Sequence, residues 1–203
     1  MFKEKLHKKL VSALEEFKLE TPKLLQSQCL SKINAGSDLI GIGPNGSGKS
    51  TLIVISTIQK IQRALDDLPK ALILVGNKES GLEMNDLFKH LAKNTDLRIN
   101  CAFEDGDIDK QSIEIYEGTD ILIGTAKRIL DLYFKRSLNL NKIKLFVIDD
   151  AELMIKNSWQ GQIDRLALSL PKCQHLVFTN EMDAKIEKLI SKFIIAPHLV
   201  EVD

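Results

Sequence analysis

Apolar residues along the chain follow two rhythms. Seven short and nearly continuous apolar runs, at 38–42, 71–75, 98–103, 120–124, 144–149, 175–179 and 198–202, read as strands. Runs with little polar alternation are what parallel strands need when both faces are buried. Between them lie longer stretches with apolar residues three or four apart, the spacing of helices with one apolar stripe. Near the amino end, Leu6, Leu10, Leu14 and Phe17 predict a helix over 2–17 whose lysines form its solvated face. A second helix is predicted to start near Pro22, because proline suits a first helical turn, and to stop at Gly36. Strands alternating with helices predict an α/β fold, a doubly wound and mainly parallel sheet of about seven strands with helices on both faces. Ligands of such sheets gather at the carboxyl ends of the strands. No repeat, low-complexity tract or Pro/Gly-rich linker interrupts the chain, so residues 1–203 are expected to form a single domain.

Composition narrows the function classes. A chain of 203 residues that is 44% hydrophobic can bury one sizeable core. Its 28 basic and 28 acidic residues cancel, which argues against a wholly basic nucleic-acid coat while leaving room for a local basic face. Cys29, Cys101 and Cys173 are far apart, with no CxxC pair and no histidine cluster, so reduced thiols are expected rather than a metal site or disulfide frame. No stretch approaches the ~18 consecutive apolar residues of a membrane span, and the amino end lacks a signal-peptide core. A soluble, cytoplasmic protein with no membrane partner is the expectation. His90 and His175 stand alone, Trp159 reads as packing at a helix start, and the acids at 114–117 read as a solvated turn.

The chemistry begins at Gly43. Four residues later Gly48-Lys49-Ser50 completes the pattern G-x-x-x-x-G-K-[ST], between a predicted strand and a predicted helix. Glycines let the backbone curl so that successive N–H groups face phosphate oxygens, and the following helix adds its positive end. Gly43, Gly46, Ser47, Gly48, Lys49, Ser50 and Thr51 are therefore candidate ATP/ADP-binding residues. Lys49 is placed to reach the β- and γ-phosphates, and Ser50 to hold Mg²⁺. A metal-bound triphosphate also needs a carboxylate at a strand end. Asp149 supplies it, binding Mg²⁺ largely through water, and Asp150 is the neighbour placed to orient the attacking water. Capping of the next helix is the plainer reading of the two acids, but the upstream loop weighs against it.

Transporter ATPases share the wording "GPNGSGKST", yet no LSGGQ-like signature lies between Ser50 and Asp149. What precedes the loop points elsewhere. In "PKLLQSQCLSKINAGSDLIGIGPNGSGKS", Gln26 lies 23 residues before Lys49, and the stretch resembles the adenine-reading Q motif of DEAD-box RNA helicases. The resemblance continues in order along nearly the whole chain. "ALILVGNKES" stands where the family has PTREL, "DILIGTAKRILD" where it has TPGR, "VIDDAE" for DEAD, and "HLVFTNEMD" for the strand leading to SAT. The chain thus resembles the first RecA-like domain of such a helicase. That resemblance implies adenine contacts from Gln26 and stacking from Phe2, RNA contacts from Lys78, Thr125 and Arg128, and a coupling segment at Thr179, Asn180 and Glu181. It further implies RNA as partner and a second RecA-like domain in cis, expected to lie outside this chain, so that activity in isolation is weak.

The departures cluster by job. Asp150 replaces the family's glutamate and Glu152 its last aspartate; the shorter Asp150 withdraws the carboxylate by about 1 Å, a displacement that can cost ~10²-fold in rate. Thr179-Asn180-Glu181 replaces Ser-Ala-Thr. Gly76-Asn77-Lys78 replaces Pro-Thr-Arg, Ala126-Lys127 replaces Pro-Gly, and Glu104-Asp105 stands for a paired glycine near RNA phosphates. The nucleotide side is kept and the RNA side is altered. Two readings stay open: an ATP-dependent RNA helicase domain, or a degenerate nucleotide-binding domain that regulates or scaffolds.

Overall fold

The computed structural model describes residues 6–19 and 21–203. In chain order the elements are α1 (Lys8–Glu16), α2 (Leu24–Asn34), β1 (Leu39–Ile42), α3 (Lys49–Ile61), β2 (Ala71–Leu74), α4 (Lys78–Leu91), β3 (Ile99–Ala102) and α5 (Ile108–Tyr116). They continue with β4 (Ile121–Gly124), α6 (Ala126–Phe134), β5 (Leu145–Ile148), α7 (Ala151–Lys156), α8 (Gln160–Ser169), β6 (Gln174–Thr179), α9 (Ala184–Ile190) and β7 (His198–Glu201). Each of the seven apolar runs coincides with one strand to within a residue at either end. The strands form one sheet in the order β3-β4-β2-β5-β6-β1-β7, and every pairing is parallel.

Alternating strand residues feed two apolar layers. Leu39, Ile73, Val147 and Phe178 face α1–α4, meeting Leu10, Leu25, Ile53 and Phe88. Their neighbours Ile40, Leu72, Phe146 and Val177 face the other helices, meeting Ile129, Met154, Leu166 and Leu189. The period of two along a strand sends adjacent residues to opposite faces, which is why the runs must be apolar throughout. Helix α3 is buried without a break from Leu52 to Ile58, so the loop that precedes it rests on a fixed element. No helix among the described residues is long and apolar enough to cross a membrane.

Helix α2 starts two residues after Pro22 and ends before Gly36, whose φ of 85° suits the left-handed turn that closes a helix. Of the acids at 114–117, Glu117 lies in the turn at the C-cap of α5 while Glu114 lies within the helix. Asp107 caps that helix by accepting from Asp109 N at 2.8 Å and Lys110 N at 3.2 Å, while Ile115 reaches the second layer. Trp159 precedes α8 and packs against the same layer. His90 lies against Phe17, with ring centroids 4.7 Å apart, and His175 sits 3.5 Å from Asp38.

Candidate functional site

The sheet sets out the candidate residues along its carboxyl edge. The loop 43–48 leaves β1, Thr179 ends β6 with Asn180 next, and Asp149 follows β5. Lys78, Thr125 and the 104–106 segment follow β2, β4 and β3 on the other half of that edge. A cleft of about 670 Å³ lies at the opposite, amino-terminal edge, among Asp38, Lys60, Lys144 and Lys172, and contains none of these residues.

Two glycines make the loop possible. Gly46 and Gly48 have φ of 85° and 93°, where a side chain is strained. A Cβ on Gly48 would also lie 2.4 Å from Gln26 Nε2. Inside the curl, Lys49 is only 7% exposed, and its ammonium donates to Gly43 O at 2.6 Å, Pro44 O at 3.2 Å and Asn180 Oδ1 at 2.5 Å. Ser47 Oγ is buried with no hydrogen-bond partner. A buried cation and an orphaned hydroxyl within a glycine curl suit a phosphate chain. Ser50, by contrast, is exposed at the first turn of α3.

Gln26 belongs to this loop as well as to α2. Its Oε1 accepts from Lys23 N at 3.0 Å, while Nε2 donates to Gly48 O at 3.1 Å. Each end of the amide still has one bonding position, enough for the edge of a base. Lys23 adds a bond from its ammonium to Gly46 O. Phe2 lies outside the described residues.

Asp149 is 2% exposed and accepts from Asp150 N at 3.1 Å through Oδ1. Burial, with Asp150 beside it, pushes its carboxyl up to about 7. A divalent cation there would favour the ionised form, so the hard-oxygen pair Asp149 and Ser50 fits Mg²⁺. Asp150 has left-handed backbone angles, φ 55° and ψ 52°, a conformation that asparagine and aspartate tolerate best. Burial followed by the charge of Glu152 raises its carboxyl, while the charge of Lys49 and then a hydrogen bond to Ser80 oppose the shift. Glu152 in turn braces the end of β6, where its Oε2 accepts from Thr179 Oγ1 at 2.7 Å and Asn180 N at 3.4 Å. Glu181 is exposed.

The three residues read as RNA contacts each bond to protein groups of this domain. Thr125 Oγ1 donates to Glu104 Oε2 at 2.6 Å, and Lys78 pairs with Asp105. Arg128 is 7% exposed and donates to Glu104 O at 2.5 Å, Gly106 O at 3.1 Å and Gln111 Oε1 at 3.0 Å. Its buried guanidinium thus ties the 104–106 segment to α6.

A family model for the DEAD/DEAH box helicase matches residues 23–189, most of the chain and every loop just described. The chain belongs to the DEAD/DEAH box helicase family. Among its relatives, the pre-mRNA-processing ATP-dependent RNA helicase PRP5 of Candida albicans is 29% identical over 92% of this chain and 22% of its own length. The probable ATP-dependent RNA helicase DDX46 of Homo sapiens is 28% identical over 96% of this chain and 20% of its own. This chain therefore spans about a fifth of the curated relatives it matches. A DEAD box protein from the hyperthermophile Methanococcus jannaschii shares the fold at a TM-score of 0.93 and 22% identity, over 98% of this chain and 54% of that one. The yeast DEAD-box splicing factor Prp28 does so at 0.91 and 22%, over 98% and 50%.

Within this DEAD-box domain the structure adds partners that sequence reading missed. Lys23 was legible, since it stands three residues before Gln26 at the spacing of a capping pair. Glu152 as a brace for β6, Glu104 and Asp105 as partners of Thr125 and Lys78, and Asn180 on Lys49 were not. Each joins segments far apart in the chain.

Proposed function

We propose that this domain binds ATP and ADP with Mg²⁺ and forms the nucleotide-binding half of an ATP-dependent RNA-remodelling enzyme. The observation that carries the reading is loop 43–48, where a glycine curl holds the buried Lys49 ammonium against its own carbonyls and leaves the Ser47 hydroxyl buried without a partner. Lys49 would bind the β- and γ-phosphates, loop N–H groups would hold their oxygens, and Gln26 would read the adenine edge. Ser50 and Asp149 would hold Mg²⁺, which when bound offsets charge on the phosphates. Asp150 would orient the attacking water. Catalytic arginines of a second domain would complete the reaction, so hydrolysis by this domain alone is slow. Relatives named as ATP-dependent RNA helicases support this reading.

Fluorescent ADP displaced by ATP, ADP or GTP tests it. ATP and ADP are expected to compete and GTP to fail. Gln26→Ala should weaken ADP by about 5- to 100-fold, the effect of one or two polar contacts. Equal competition by GTP would remove the adenine reading, and an unchanged Gln26→Ala would remove Gln26 from it.

The same reading predicts a weak grip on RNA, because Glu104 and Asp105 occupy donors that phosphates would need. The exposed Lys78–Asp105 pair stabilises the fold little, so it can be removed safely. Glu104→Gly with Asp105→Gly is expected to tighten binding of single-stranded oligouridine on the order of tenfold at low salt, measured by anisotropy. The salt slope should steepen by about 0.7 for each phosphate gained. Unchanged affinity and slope would show that the acids do not limit RNA contact.

A further inference from the structure

Asn180 stands where the family resemblance places an alanine, and it does something an alanine cannot. Its Oδ1 accepts from the Lys49 ammonium at 2.5 Å across 131 residues of chain. An ammonium has three hydrogens, and here all three are taken, by Gly43 O, Pro44 O and Asn180 Oδ1. Two of these acceptors are loop carbonyls, which any sequence would provide. The third is a side chain from the neighbouring strand.

The position of that side chain is fixed from three sides. Thr179 O accepts from Gly43 N at 3.1 Å, which ties the end of β6 to the start of the loop. Asn180 N and Thr179 Oγ1 both donate to Glu152, in the helix that follows Asp149 and Asp150. The carboxamide is therefore aimed by backbone held between the loop and the acidic turn. Because an ammonium can only donate, its contact assigns the oxygen of the amide to Lys49.

We infer that Asn180 is a positioning residue that holds Lys49 within the empty phosphate loop and gives it up when nucleotide enters. This rests on the nucleotide-binding reading above. Phosphate oxygens and the Asn180 carbonyl compete for one ammonium, so part of the binding free energy goes into breaking the Lys49–Asn180 bond. The exchange sets affinity for ADP and ATP alike, since both present a β-phosphate. It also means that the residue following β6, whose backbone N–H is bonded to Glu152, loses a side-chain contact whenever the loop fills. Asn180 thereby makes the segment at 179–181 a direct reporter of loop occupancy.

The test is titration with fluorescent ADP of the wild type, Asn180→Ala, Asn180→Asp, Lys49→Ala and the double variant Lys49→Ala/Asn180→Ala. Asn180→Ala frees the ammonium and is expected to tighten ADP by about tenfold or more, the low end of one hydrogen bond to a charged group. Asn180→Asp, whose carboxylate binds the ammonium more strongly, should weaken ADP at least tenfold. In the Lys49→Ala background the Asn180→Ala change should have no effect, a loss of coupling that a merely structural role would not produce. Equal or weaker ADP binding by Asn180→Ala, or an Asn180→Ala effect that persists without Lys49, would overturn the exchange while leaving the nucleotide site intact. Failure of the wild type to bind ADP at millimolar concentration would instead overturn the reading on which it rests.

Discussion

Lys49→Ala is expected to lower affinity for ADP and ATP by roughly 30-fold or more while leaving the domain folded. Two effects compete. The wild-type ammonium must first surrender its bonds to Gly43 O, Pro44 O and Asn180 Oδ1, which reduces what phosphate binding returns. Against this, Lys49 is 7% exposed and sits where water screens little, so its attraction to a polyphosphate far exceeds that of a surface lysine. Removing one partner of a buried charge pair costs about 2–5 kcal/mol, which converts to roughly 30-fold at the low end. The attraction wins. Stability responds less, because the variant removes a cation that was costly to bury as well as the donor to two loop carbonyls. Calorimetric titration with ADP and a thermal melt check both halves. A loss of affinity under threefold, with the melt unchanged, would mean that phosphate is held by backbone N–H groups alone.

How much of this was legible follows from how local each signal is. The strand 145–148 could be read because both of its faces are buried, leaving Leu145, Phe146, Val147 and Ile148 with one composition and no alternation. The loop 43–51 could be read because its curl requires glycine at positions a few residues apart. Boundaries were broader than the strands themselves, since the run at 98–103 includes Arg98, whose guanidinium serves a buried carboxylate rather than the ladder. The roles of Thr125 and Arg128 could be read only as a family pattern. Their burial depends on Glu104, Gly106 and Gln111, which the fold brings from 17 to 24 residues away in sequence and which no period announces. Asn180 on Lys49 is the extreme case, because neither residue alone signals the other. Periodicity reports which face is apolar; it is silent on which polar groups meet beneath the surface.

Asp120 illustrates that silence and yields the largest expected effect on stability. In the sequence it is merely the residue that opens an apolar run. In the structure it is fully buried at the amino-terminal edge of the sheet, beside Lys70, which is 2% exposed. Its Oδ2 accepts from Arg98 N and Arg98 Nε, both at 3.0 Å, while Oδ1 accepts from Lys70 Nζ at 3.3 Å. The pairing with Asp120 holds the Arg98 guanidinium well above its ordinary value. One carboxylate thus closes the starts of β2, β3 and β4, the half of the sheet whose other edge carries Lys78, Thr125 and the 104–106 segment. Asp120→Ala would strand the Lys70 ammonium with the half-exposed Asp66 and the Leu68 carbonyl as its remaining partners, and would leave Arg98 N without an acceptor. Breaking such a buried pair costs about 3–5 kcal/mol, much more than deleting an exposed one. For a domain of this size that corresponds to a melting point lower by roughly 6–20 °C. Urea denaturation of Asp120→Ala beside Lys70→Met/Asp120→Leu resolves the cause. The double variant, which removes the cation along with its partner, is expected to recover at least half of the loss, because a buried charge left with only the half-exposed Asp66 carboxylate is worse than an apolar pair. Equal destabilisation of both would locate the cost in the Arg98 contacts, and a loss below about 1 kcal/mol in Asp120→Ala would show that water reaches Lys70 once the carboxylate is gone.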